Sequence, residues 1–162
     1  MAHQAYVSIR GTKQGQFKGE SEGKGQDWTE IVSIQMGSEV PVDPKSGRPK
    51  GPRQHQPLTI TKQVGAASPQ LLQAHWMDEV LQSVDIQFTK GNGSGQEVVY
   101  QTIHLTNAQI SRYQSYTGPV PHGAAPGHKH ETLTLQYEGQ LITGGGGLPA
   151  LVGQVKRFGN WA

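Results

Sequence analysis

Leu58-Thr59-Ile60-Thr61-Lys62-Gln63-Val64-Gly65-Ala66-Ala67-Ser68-Pro69-Gln70-Leu71-Leu72-Gln73-Ala74 reads as a strand running straight into a helix. Leu58, Ile60 and Lys62 alternate with Thr59, Thr61 and Gln63, the period of a half-buried strand rich in β-branched residues. Ser68-Pro69 then opens a helix over about residues 68–82. The Ser68 hydroxyl is placed to accept from an N–H of the first turn, and Pro69 at the first helical position has no N–H to satisfy. Behind that cap, Leu72, Trp76 and Val80 recur at four-residue spacing, widened by Met77 and Leu81. The spacing predicts an apolar stripe packed on a sheet.

Working outward toward the N-terminus, the segment 37–57 has no periodic pattern and carries Pro41, Pro44, Pro49, Pro52 and Pro57. Loops longer than about 12–15 residues are uncommon in compact domains unless they are functional or disordered, and the prolines favour an extended arm. Ahead of it, Trp28 to Met36 reads as a strand. Trp28, Glu30, Val32, Ile34 and Met36 form its core side, with Thr29, Ile31, Ser33 and Gln35 opposite. Gly15 to Gly25 is a polar turn region, and Ala5, Val7 and Ile9 form one face of a first strand closed by Gly11.

Toward the C-terminus, Val84, Ile86 and Phe88 form the inner face of an amphipathic strand that turns through Gly91–Gly95. It returns along Glu97 to Ala108, and Ile110 to Tyr116 is another strand or a bent extension. A Pro/Gly loop over 117–129 leads to Glu131–Leu141, where Leu133, Leu135 and Tyr137 share a face. The four glycines Gly144–Gly147 begin a link and tail over about 144–162, readable as a short strand or an arm. Many short alternating strands and one helix predict a mainly β fold, an antiparallel β-barrel in one domain over 1–162.

Composition narrows the function classes. The apolar share is 33% and 22 of 162 residues are glycine, thin for a self-sufficient core, so contacts with neighbouring subunits are expected to add buried surface. A net charge of +2 without a basic stripe does not imply nucleic acid. No cysteine means no disulfide, thiolate metal site or thiol nucleophile. No apolar run approaches the roughly 20 residues of a membrane-spanning helix. Met1-Ala2-His3-Gln4 does not open a signal-peptide pattern, so a soluble cytoplasmic start is expected and any export would have to be leaderless.

Chemistry-bearing residues do not converge. His122, His128 and His130 share a loop with Glu131 as the nearest carboxylate, a poor ligand set in which exposure is the expected state. Ser68 is explained by capping, and no base stands at a suggestive spacing. Asp78 and Glu79 are adjacent on the predicted helix and diverge. Gly144–Gly147 lacks the Lys and Ser/Thr of a phosphate loop. Neither catalysis nor a cofactor or metal is expected.

Taken together, Gly19-Glu20-Ser21, Trp28 to Met36, Ile60-Thr61-Lys62, Ala67-Ser68-Pro69, Leu71-Leu72, Val84 to Phe88 and Tyr100 to Ile110 resemble the haemolysin-coregulated protein (Hcp) family, the tube subunit of the bacterial type VI secretion system. Gly65 departs from it, standing where family members often carry an acidic residue. The resemblance implies a two-sheet β-barrel with one flanking helix, assembling as a homo-hexamer whose rings stack into a hollow tube. Such a tube lies inside a contractile sheath, beneath a spike protein, and its lumen holds small effectors. On this reading Thr29, Ser33 and Gln35 are candidates for a lumen-facing strand surface, by alternation. Val40, Val42, Lys45, Arg48 and Arg53 are candidates for subunit contacts through the arm. The competing reading is a monomeric carbohydrate-type binding barrel using Trp28, Tyr113 or Tyr116 as stacking platforms.

Overall fold

Ten strands and one helix follow the chain in the computed structural model, which describes residues 3–20, 27–52, 54–91, 93–117, 129–144, 151–156 and 160–161. They are β1 (His3–Gly11), β2 (Gly15–Gln16), β3 (Thr29–Ile31), β4 (Ser33–Glu39), β5 (Gln54–Gln63), α1 (Ser68–Trp76), β6 (Leu81–Gly91), β7 (Glu97–Thr117), β8 (Lys129–Gly144), β9 (Leu151–Lys156) and β10 (Asn160–Trp161). All pairings are antiparallel. Following the ladders from β1 through β6, β7, β8 and β5 to β4 leads back to β1, because β3, just before β4, pairs with β1. The described residues of the tail are strand, with β9 beside the C-terminal half of β8 and β10 touching β5.

Alternation fills the interior. Val7 and Ile9, Leu58 and Ile60, Val84 and Ile86, Ile103 and Leu105, and Leu133 and Leu135 are all buried. Each pair is two residues apart, so one face of every long strand points inward. Ile110 to Tyr116 continues β7 without a break, through a bulge between Ile110 and Arg112.

Helix α1 is shorter than its sequence pattern predicts and buries another face. It ends at Trp76 instead of near residue 82, and Leu81 already belongs to β6. Asp78 sits at φ 50°, and the Asp78 and Glu79 N–H groups bond back to the His75 and Ala74 carbonyls, closing the helix with a left-handed cap. Glu79 then turns inward, where its Oε2 accepts from the Lys13 and Gln14 backbone N–H groups at 3.0 and 2.9 Å. Only glycine fits opposite, since a Cβ at Gly11 would lie 2.0 Å from that oxygen. With little over two turns available, the helix buries Leu71 and Ala74 and leaves Trp76 74% and Met77 54% exposed. Ser68 is not the cap. Ala67 holds that position without a side-chain bond, and the Ser68 hydroxyl is used elsewhere.

The strand predicted over Trp28–Met36 is broken at Val32, whose N–H donates to the Thr61 carbonyl. The break shifts the alternation by one residue. Ile31 is buried before it and Ile34 packs on the core after it, whereas Glu30 and Met36, both expected inside, are exposed. The segment 37–57 is also more ordered than a patternless loop. Its two ends belong to β4 and β5, joined through Gly37–Gln56, Ser38–His55 and Glu39–Gln54. Beyond them, a Val42–Pro49 bridge and a turn held by Asp43 make a projecting β-hairpin.

Candidate functional site

The strands β4, β5, β8 and β7 lie side by side in that order, and their register separates two kinds of surface. Ile34, Ile60, Leu133 and Tyr113 form one cross-strand row, and it faces the core. The rows on the other side are Ser33, Thr61, Thr132 and Gln114, then Gln35, Thr59, Thr134 and Arg112. This outer face is neutral apart from Arg112. Thr61 and Thr132 exchange a hydroxyl bond at 3.2 Å, and Tyr116 adds a second to Thr132 at 3.0 Å. Ser33 and Gln35 therefore share one polar sheet face. Thr29 does not, because the break at Val32 turns it to the core side, opposite Val7 and beside a small open pocket near Phe17 and Leu71.

Both margins of this face are open. β4 pairs with β5 alone, and β7 from Gln109 to Thr117 pairs with β8 alone, with no strand on the second side of either among the described residues. α1 covers the start of the β7 margin, where His75 Nδ1 hydrogen-bonds the Ile110 carbonyl at 2.8 Å. An unpaired strand edge offers N–H and C=O groups to another chain.

Beneath the face lies a buried charge pair that alternation alone did not identify. Lys62 and Glu131 are 1% and 0% exposed and meet at 2.6 Å. Lys62 Nζ also donates to the Gln63 carbonyl. Glu131 Oε1 accepts from the Ser68 hydroxyl at 2.8 Å and Oε2 from the Tyr113 hydroxyl at 2.5 Å, so β5, β8, α1 and β7 join on one carboxylate. Ser68 in turn accepts from the Gly65 N–H. Beside it, the Glu20 carboxylate accepts from the Ala66 N–H at 2.7 Å and fills the space a side chain on Gly65 would need.

Three tyrosines hold their protons strongly. Burial, followed by the bond to Glu97, pushes the Tyr6 hydroxyl up to about 12. Burial and the bond to Glu131 raise that of Tyr113, and burial alone raises that of Tyr137. The unfolded chain releases phenolic protons near pH 10, before the folded one does, so the contribution of these hydroxyls to stability is full below pH 10 and falls as pH rises from about 10 to 12. Ultraviolet titration is expected to show tyrosinate forming later in the folded protein than in denaturant; coincident curves would contradict these environments.

Of the arm candidates, Val42, Lys45 and Arg48 are exposed on the hairpin and Val40 is half-buried near its base. Arg53 lies outside the described residues, as do His122 and His128. His130 is not exposed, contrary to expectation. It lies in β8, fully buried, with the Tyr116 ring stacked at 6.4 Å. No cluster of metal-ligating side chains occurs among the described residues. The aromatic platforms of the binding-barrel reading do not converge, since Tyr113 and Tyr116 face opposite sides of β7 and Trp28 precedes β3, on the β1 side of the barrel.

Residues 6–143 match the family model described as type VI secretion system effector, Hcp. The chain belongs to the Hcp family. A curated relative, the "Major exported protein" of Pseudomonas aeruginosa strain PAO1, is 35% identical over 142 residues, 82% of this chain and 81% of that one. A crystal structure of an Hcp protein shares the fold with a TM-score of 0.84 at 21% identity, covering 94% of this chain and 99% of the other. The secreted protein Hcp3 from Pseudomonas aeruginosa superposes with a TM-score of 0.74 at 27% identity, covering 96% and 99%. Hcp proteins are structural components of type VI secretion, so this member is a secretion protein and not an enzyme.

Proposed function

We propose that the chain is the repeating subunit of a type VI secretion tube. Six copies, each a single barrel domain, close into a ring, and rings stack into a hollow conduit that sheath contraction drives out of the cell beneath a spike protein. What carries this reading is the neutral polar face bounded by two open strand edges. If the β4 edge of one copy meets the β7 edge of the next, the contact is heterologous and closes by rotation, and the polar faces join into an inner wall. Ser33 and Gln35 then line the lumen, where a wall poor in charge passes effectors without holding them. Val40, Val42, Lys45, Arg48 and Arg53 contact neighbouring copies through the hairpin. No step involves nucleic acid, a cofactor or membrane insertion.

Light scattering on the purified protein, with negative-stain images of the same peak, tests this. A mass of about six protomers with ring views is expected from closed cyclic symmetry. A monomer at every concentration would overturn the reading.

A further inference from the structure

The most exposed large apolar side chain among the described residues is Trp76, and Met77 stands beside it. With Pro69 and Gln73, both also exposed, they form one stripe along α1, the face opposite Leu71 and Ala74. Asp78 follows the stripe directly. Its carbonyl accepts from Gln109, and nearby on β7 Asn107 donates to the exposed carboxylate of Glu138, so the Trp76–Met77 end carries two carboxylates toward β7, with Arg112 further along that strand. Lys13 lies on the other side, its backbone held by Glu79.

The projecting hairpin is the complement of this surface. Val42 is 56% exposed and is bridged across the hairpin to the exposed Pro49. Among its described residues 40–50 it carries Lys45, Arg48 and Lys50 against the single carboxylate of Asp43. Within one copy the two surfaces do not meet. His75 is bonded to Ile110, which is level with Leu135 and Leu58 across the sheet. From Leu58 the chain must still run back to Pro49, roughly 30 Å at the extended rise of about 3.3 Å per residue.

We propose that the hairpin tip of one copy docks on the Trp76–Met77 end of α1 in a second copy. The inference rests on the reading of the chain as a self-assembling subunit and names the surface that receives its arm. Pro49 and Val42 lie against the indole, a pairing that costs little conformational entropy because the hairpin is already held by its turn. The Lys and Arg side chains face the two carboxylates. Tip and helix end are different patches, so the contact is heterologous and propagates from copy to copy.

The natural absence of cysteine makes the test direct. Val42→Cys and Met77→Cys are made as separate full-length proteins with different tags, mixed and mildly oxidised. Cross-links between the two variants are expected to exceed those of either variant with itself at least tenfold. Assembly seen by electron microscopy without this mixed cross-link overturns the inference and leaves the tube reading standing. Absence of both assembly and cross-link overturns both. In the unmodified background, Trp76→Ser is expected to weaken self-association at least tenfold with unchanged circular dichroism, since Trp dominates interface energetics. Unchanged association of a folded Trp76→Ser protein, which would leave the indole to another partner, also counts against the inference.

Discussion

Glu131→Ala is expected to cost about 3–5 kcal/mol of folding stability, a large part of the roughly 5–15 kcal/mol available to a typical domain. The effect comes from what is left behind. Lys62 would remain buried with the Gln63 carbonyl as its named acceptor, and Ser68 and Tyr113 would lose the carboxylate to which both donate. An uncompensated buried ammonium costs far more than its Coulomb partner contributed. Replacing both charges, Lys62→Met with Glu131→Leu, is expected to restore most of the loss, because well-packed apolar residues often match a buried ion pair. Urea denaturation of the four proteins of this cycle measures the coupling. A single substitution costing under about 1 kcal/mol would mean that water reaches the pair.

Removing the hairpin should have the largest effect on assembly and a small one on folding. Glu39 and Gln54 are opposite each other in the ladder, so a two-residue turn can join them in place of residues 40–53. The described residues among them are mostly exposed and none belongs to the core cluster, so the unfolding midpoint should move by no more than the equivalent of about 1 kcal/mol. Light scattering should then find protomers or isolated rings and no stacks. Stacking at the original concentration would show that the hairpin is not the joining element.

The strand interiors were legible from sequence because a half-buried strand announces itself every second residue. Val84–Ile86 and Leu133–Leu135 are where alternation puts them. Features that depend on distant partners were not. Lys62 shares its strand face with Leu58 and Ile60, but nothing local shows that a carboxylate at residue 131 will neutralise it. Ser68 has the composition of a cap, yet Glu131 supplies a stronger partner. The helix misled for another reason. Its four-residue spacing runs on across Asp78, whose left-handed backbone ends it, and the small Ala74 is what packs inside. Alternation groups Thr29 with Ser33 and Gln35, because a slip of one residue at Val32 leaves no mark in the pattern. The polar face emerges only when four strands are placed in register.

The ladders also imply an order of events. β6, β7 and β8 follow one another in sequence and pair as neighbours, whereas β5 meets β8 across a separation such as the 71 residues between Thr61 and Thr132. Closing so long a loop costs chain entropy before any contact rewards it, which places shutting the barrel among the slow steps of folding. The β4 margin is held by β5 alone. The β4–β5 hairpin, whose pairs lie 15 to 28 residues apart, thus joins the rest of the sheet only when β5 meets β8, and the polar wall with both its margins is completed by closure of the barrel.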